Sequence, residues 1–302
     1  MYMNFWYPVC LSADLTAAAP TRARILGLPF VAFRAAGAQA HVLADTCVHR
    51  GGALGRGKIV NGHLACPYHG WQFDGSGQCV HIPSLGADGP IPARAKVDRD
   101  PVLERYGIVF AFLGDLPEAE RAPLYTVPEY DQPGWRPGLV VYAVDTYFER
   151  SIENGLDPVH NEFVHDLQGN IRFRPDRMNV TTDEWSSTVS VKMDPPKKGT
   201  TQLDARMMQI NLAVADEDVR VITRLNPVRT PEASRSELLM VGDEGIGLYR
   251  KHLKEWEQRG WRLNLEVLRE KAGDVAYAIP SPARRLAKNW VLDAVPLVAG
   301  DV

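Results

Sequence analysis

Residues 47–71 read CVHRGGALGRGKIVNGHLACPYHGW. Cys47-x-His49 and Cys66-x2-His69 are separated by sixteen residues, and each pair runs into glycine, Gly51-Gly52 after the first and Gly70 after the second. Glycine at such places lets backbone amides come close to a bound group. Two thiolates and two imidazoles suit zinc or an iron–sulfur cluster. Zinc fingers usually bring their cysteines as one short pair and their histidines as another. Here each loop brings one of each, which lets both thiolates take one iron of a two-iron centre and both imidazoles the other. Between the pairs, KIV-NG-HLACP is two β-type runs joined by Asn61-Gly62, a hairpin signal because a type I′ turn needs positive φ at both positions.

Working outward, PFVAFR (29–34), AHVLAD (40–45), WQFDGSGQCVHIP (71–83, turning at Gly75-Ser76-Gly77) and YGIVFAFLGD (106–115) are further short β-type runs. A proline-bearing stretch, LPEAERAPLYTVPEYDQPGW (116–135), reads as a linker. Beyond it, LVVYAVDTYF (139–148) and STVSVKM (187–193) are expected as strands. Helices are expected over RSIENGLDPVHNEFVH (150–165), INLAVADEDVRVITRL (210–225) and GIGLYRKHLKEWEQRG (245–260). The expected fold class is α+β: an all-β domain over 1–118, then an α+β domain over 119–302.

A chain of 302 residues with 45 % hydrophobic and 24 % charged residues can bury a sizeable core. A net charge of −3 leaves no footprint for nucleic acid or an acidic membrane surface. No run reaches the roughly 18 apolar residues of a spanning helix. The start, MYMNFWYPVCLSADL, has no basic segment followed by an apolar one, and four cysteines make no disulfide scaffold. A cytoplasmic protein with no nucleic-acid or membrane partner is expected. Cys10 and Cys79, outside the two pairs, are expected as small buried apolar side chains.

A second group of metal-ligating residues lies in ERSIENGLDPVHNEFVH (149–165). Asn154, Asp157 and His160 follow one another at intervals of three and lie along one helical face. His165 would fall about 140° round from His160 on a regular helix. The two histidines can therefore share a metal only if the helix bends, breaks or carries a π-bulge between them. Two histidines and one carboxylate form a facial triad that leaves positions open on an iron ion. Asp218 is the preferred carboxylate: Val214, Asp218, Ile222 and Leu225 make one helical stripe, and an acid on an apolar stripe needs a partner. Glu217 is the near competitor, and Asp216 falls on the far, solvated side.

The first stretch resembles the Rieske [2Fe–2S] motif, with its flanking Arg50-Gly51 and CPYHGW (66–71). With NGLDPVHNEFVH (154–165) and EDVRVI (217–222), the whole chain looks like the α-subunit of a Rieske non-haem iron oxygenase, of the ring-hydroxylating and demethylating class. The resemblance implies that Cys47 and Cys66 bind one iron of the cluster and His49 and His69 the other. Replacing two thiolates by neutral imidazoles raises the expected potential to roughly −150 to +300 mV, against about −400 mV for plant-type ferredoxin clusters. It also implies a mononuclear Fe(II) on His160, His165 and Asp218, in a catalytic domain of helix-grip type. Asp157 would bridge His69 of one subunit to His160 of the next in a head-to-tail homotrimer, and Asn154 would stand near the iron. A separate NAD(P)H-dependent reductase or ferredoxin would supply electrons, and O2 and a small, aromatic substrate would react by hydroxylation, dihydroxylation or demethylation.

Only 52 residues separate His165 from Asp218, an interval considerably longer in the family, so a shortened catalytic domain with an abbreviated antiparallel sheet is expected; MDPPKKGTT (193–201) looks like a join across missing structure. The alternative function is an electron carrier or assembly partner that kept the Rieske domain and lost oxygenase activity. A zinc-stabilised structural protein is a third reading. Aromatic residues such as Phe148, Phe163, Phe173, Trp185 and Trp261 are candidates for a pocket wall.

Overall fold

The structure, a computed structural model, is described for residues 1–35, 38–86, 89–165, 172–192, 204–231 and 236–299. The chain divides into two compact units, Met1–Tyr125 with Trp256–Val302, and Thr126–Glu255. The boundary read from the sequence stood at 118/119, with everything after it in one domain. The difference is the closing segment, which packs with the first unit.

Three antiparallel sheets build the first unit from its amino-terminal part. Strands β1 (Phe5–Leu11), β2 (Thr21–Ile25), β3 (Leu28–Arg34) and β4 (Ala40–Ala44) precede the ligand loops. A meander of β5 (Lys58–Val60), β6 (His63–Ala65), β7 (Gln72–Phe73) and β8 (Cys79–His81) follows. Then come β9 (Arg99–Asp100), β10 (Val102–Arg105) and β11 (Ile108–Leu113). The sheet orders are β1-β11-β10, β2-β3-β4-β9 and β5-β6-β7-β8. Asn61 and Gly62, at φ of 51° and 79°, make the expected turn between β5 and β6. Strand β3 buries Phe30, Val31, Ala32 and Phe33 in succession. Val31 and Phe33 share one core with Leu43, Leu64 and Phe73, and that core also holds Cys47 and Cys66. Cys79 is buried in it too, whereas Cys10 is only half-buried.

In the second unit, α1 (Phe148–Leu156) and α2 (Asn161–Val164) precede the antiparallel pair β12 (Met178–Thr182) and β13 (Ser187–Val191). Helix α3 (Asp204–Ile222) follows, and α4 (Glu244–Gln258) leads back towards the first unit's closing segment. Among the described residues, this two-stranded sheet is the unit's only one, the abbreviated sheet expected. Residues 193–201, the supposed join, lie outside the described residues. LVVYAVDTYF forms no strand: residues 139–147 carry no regular structure and Phe148 opens α1. A strand needs a neighbour to pair with, and β-branched composition alone does not supply one. Helix α1 buries Glu149, Arg150 and Glu153 rather than an apolar stripe. It is held by ions: Arg150 bonds Glu153 at 3.1 Å and Glu237 at 2.6 Å, and Arg250 of α4 bonds Glu153 at 2.7 Å and Glu237 at 2.6 Å. The Arg150 hydrogen bond, aided by Arg250 and opposed by burial, holds the Glu237 carboxyl below its usual range.

The closing segment, α5 (Leu265–Glu270), β14 (Tyr277–Ala278), α6 (Ala283–Leu286) and β15 (Asp293–Ala294), supplies a role for YAIPSPARRLAKNW that no sequence pattern offered. Arg284 grips Asp98 with two parallel bonds of 2.7 Å, and the Ser281 amide and hydroxyl donate to the same carboxylate at 3.1 and 3.0 Å. Asp98 is 1 % exposed. A bidentate pair at such a place is strong while complete and costly when halved. Replacing Asp98 by Ala, which strands Arg284, is expected to lower stability by about 3 kcal/mol. The shift in urea midpoint, followed by tryptophan fluorescence, measures it; an unchanged midpoint would show that the clamp contributes nothing.

Candidate metal centres

The two Cys/His loops have one backbone design. In the loop after β4, the Cys47 amide donates to the Gly52 carbonyl at 2.8 Å and the Cys47 carbonyl accepts from Gly51 at 2.9 Å. In the loop joining β6 to β7, the Cys66 amide donates to the Trp71 carbonyl at 2.8 Å and the Cys66 carbonyl accepts from Gly70 at 3.0 Å. Gly51 and Gly70 close these turns at φ of 70° and 71°, a region that L side chains rarely enter. The cysteines point into the core and the histidines outward: Cys47 and Cys66 are buried, and His49 and His69 are exposed. The imidazole centroids of His49 and His69 stand 4.4 Å apart, and His49 stacks on Trp71 at 4.6 Å. Burial, and then the neighbouring Cys66 thiol, push the Cys47 thiol up to about 12. A metal beside the buried Cys47 thiol would supply the charge that draws off its proton. A Cβ on Gly52 would lie 2.9 Å from Cys66 Sγ and 3.4 Å from Tyr68 Cβ, so the loops close too tightly there for any side chain. The donor set and the cradle fit a two-iron cluster.

The second centre depends on Pro158. A residue before proline is pushed out of the helical region, and Asp157 has φ −94°, ψ 107°, ending α1. Its Oδ1 accepts the Val159 amide at 2.7 Å, and the chain restarts with His160 in helical geometry before α2. His165 then leaves α2 at φ −102°, ψ 85°. His160 and His165 thus stand at the two ends of the single turn α2, the second outside helical geometry, and their imidazoles converge, with His160 Nε2 and His165 Nε2 3.2 Å apart. Asp218 Oδ1, from α3, lies 3.3 Å from His160 Nε2 and 3.2 Å from His165 Nε2. Donor atoms of one ion with bonds of about 2.1 Å stand roughly this far apart when the bonds meet near a right angle. Asp218 Oδ1 is buried and has no hydrogen-bond partner, a vacancy of valence that a cation satisfies. One ligand atom from each of these three residues lies within 4.8 Å of the others, close enough to hold a single ion.

Charge around the triangle has one sign. Asp157 Oδ2 lies 3.7 Å from His160 Nδ1, an ion-pair rather than a hydrogen-bond distance. Burial pushes Asp157 up, but His160 and the Val159 amide outweigh it and hold the carboxyl below its usual range. Burial likewise pushes His160 down, and the carboxylates of Asp157 and Asp218 outweigh it and raise it. Glu217, the competing ligand in the sequence, takes the other side of His165, with Oε2 3.1 Å from Nδ1. Asp216 is exposed. Asn154 and Asp157 line a cavity of about 370 Å³ with the three converging residues. Its apolar wall is made by Leu156, Pro158, Val189, Val191 and Val214. None of the five aromatic residues proposed for a pocket wall lines it, and Trp261 belongs to the first unit. The valines alternate on β13, a period-two signal present in STVSV but uninformative until α3 is placed beside it.

Substituting Gly52 by Ala is expected to strip most of the visible absorbance from the purified protein while leaving its helix content intact. Visible and far-ultraviolet spectra check this together; full absorbance in the variant would show that the loops have room to spare.

Comparison with known proteins follows the same division. Residues 5–103 match the family model described as the Rieske [2Fe-2S] domain. The chain is 37 % identical over 167 residues to chlorophyllide a oxygenase of Chlamydomonas reinhardtii, covering 54 % of this chain and 24 % of that protein. It is 34 % identical over 165 residues to the oxygenase component of dicamba O-demethylase of Stenotrophomonas maltophilia, covering 54 % and 47 %. The matches thus span less than half the length of these relatives. The structure of NdmA from Pseudomonas putida superposes with a TM-score of 0.69 at 24 % identity, over 85 % of this chain and 91 % of that one, and shows the same fold. The chain thus carries a Rieske [2Fe-2S] domain over residues 5–103, and over about half of its length it is similar to proteins described as an oxygenase and as the oxygenase component of a demethylase.

Proposed function

We propose that this protein is the terminal oxygenase component of a Rieske-type system, acting on a small aromatic substrate by hydroxylation or oxidative demethylation. The observation that carries the reading is the convergence of His160, His165 and Asp218 on one point beside a cavity. An electron carrier has no use for a second donor set, so the convergence favours the oxygenase over the carrier. Relatives described as an oxygenase and as the oxygenase component of a demethylase support the class of reaction. Cys47, Cys66, His49 and His69 would hold the cluster, and His160, His165 and Asp218 an Fe(II). When bound, the cluster supplies single electrons and the ferrous ion supplies oxygen activation, with two electrons, two protons and O2 consumed per hydroxyl group formed and one water released.

The protein's own residues have separable tasks. Val189, Val191 and Val214 offer the apolar side of a cavity whose volume lies in the range of small-molecule sites. Asn154 and Asp157 give that cavity its polar edge and would orient the substrate or its leaving group. Asp157 also stands behind the His160 ring, 3.7 Å from Nδ1, where its charge faces the ring without a hydrogen bond. The exposed edges of His49 and His69 make the cluster end accessible to a separate NAD(P)H-dependent reductase or ferredoxin. They equally suit a homotrimer in which His69 of one chain meets Asp157 of the next. No helix among the described residues is long and apolar enough to cross a membrane, and a cytoplasmic site of action is part of the proposal.

Asp157→Asn is expected to leave iron content unchanged and to slow reoxidation of the reduced cluster in a single turnover with substrate and O2 by roughly 10- to 100-fold. Stopped-flow absorbance at the cluster bands reads the rate. Wild-type reoxidation in this variant would remove Asp157 from the electron path.

A further inference from the structure

Two consecutive acids of α3 address the two sides of one imidazole. Asp218 Oδ1 approaches His165 at Nε2, 3.2 Å away, and Glu217 Oε2 approaches it at Nδ1, 3.1 Å away. The His165 side chain is 2 % exposed and that of Glu217 15 %. With a metal on the Nε2 side, shared with His160 and Asp218, the ring proton belongs on Nδ1, where the Glu217 carboxylate oxygen accepts it. His160 lacks the equivalent: its Nδ1 is buried with no hydrogen-bond partner, and Asp157 stands 3.7 Å off. His165 follows α2 at φ −102°, ψ 85°, and the Glu217 contact to its Nδ1 is a side-chain anchor for the ring.

We propose that Glu217 is the positioning residue of the mononuclear centre, fixing the tautomer and orientation of His165 through the bond to Nδ1 and raising its strength as a ligand. The proposal rests on the reading of His160, His165 and Asp218 as a metal site. It assigns the Glu-Asp pair a division of labour: Asp218 as ligand, Glu217 as the support behind a different ligand. Outer partners of this kind typically change metal affinity 10- to 100-fold when removed.

The test uses the full chain carrying a natural-abundance cluster, with the mononuclear site emptied and then titrated anaerobically with 57Fe(II). Equilibrium dialysis reads affinity, and Mössbauer spectroscopy reads the quadrupole doublet of the added iron alone. Glu217→Met, which keeps the bulk and removes the acceptor, is expected to bind roughly 10- to 100-fold more weakly with an altered doublet. Glu217→Gln, whose amide oxygen still accepts from Nδ1–H, is expected to recover most of the affinity and the wild-type doublet. A Glu217→Met protein with wild-type affinity and spectrum overturns the role of Glu217 alone. Wild-type protein that takes up no 57Fe(II) overturns the metal-site reading and this role together.

Discussion

Between Leu156 and His160 the chain must leave the helix, and Pro158 is the reason. Its ring denies Asp157 the helical region, α1 stops, and the Asp157 carboxylate turns to accept the Val159 amide. On an uninterrupted helix His160 and His165 would point about 140° apart. Here they stand at the two ends of the single turn α2, His165 outside helical geometry, and meet at 3.2 Å. The break at Pro158 ends α1 just after Asn154, leaves Asp157 behind His160 and restarts the chain at His160, so the segment 154–165 sets four side chains around one cavity. Helix α1, which delivers them, buries ions instead of apolar residues and is held by the ring of Arg150, Glu153, Arg250 and Glu237. Removing one member of such a ring leaves another charge uncompensated, so the site's position is tied to charge pairing more than to hydrophobic burial.

The first unit solves a different problem. Its two loops must present two thiols inward and two imidazoles outward from the same small volume. Matching turns closed by Gly51 and Gly70 achieve this, with Gly52 leaving the space that the Cys66 sulfur needs. Embedding the cysteines among Leu54, Leu64 and Phe73 shields that side from water, while the histidine side stays open. An electron carrier embedded in a protein needs this asymmetry: a rigid, dry anchor on one side and an approachable edge on the other.

What the sequence could convey depended on the range of each interaction. The Cys/His spacing and the Asn61-Gly62 turn are local, and the turn has its counterpart in the structure; the break expected between His160 and His165 falls instead before His160, at Pro158, with His165 itself leaving helical geometry. Asp218 was legible as an acid on an apolar stripe, although Leu225 of that stripe lies beyond the end of α3. Glu217 was legible only as a rival to Asp218, because nothing short of the fold reveals that His165 offers it a second nitrogen. Long-range pairings were not legible. LVVYAVDTYF has strand composition without a partner strand, and YAIPSPARRLAKNW has no periodicity that announces the grip of Arg284 on Asp98, 186 residues away. The return of the closing segment to the first unit follows from that grip and could not be read without it.

The central claim is that one chain holds two separate iron centres, the second on His160, His165 and Asp218. Anomalous diffraction at the iron absorption edge, from crystals grown anaerobically with ferrous iron, tests it most directly. The account predicts a double peak among Cys47, His49, Cys66 and His69, and a single peak at the common point of His160 Nε2, His165 Nε2 and Asp218 Oδ1. A full-height double peak with nothing between those three side chains would contradict it.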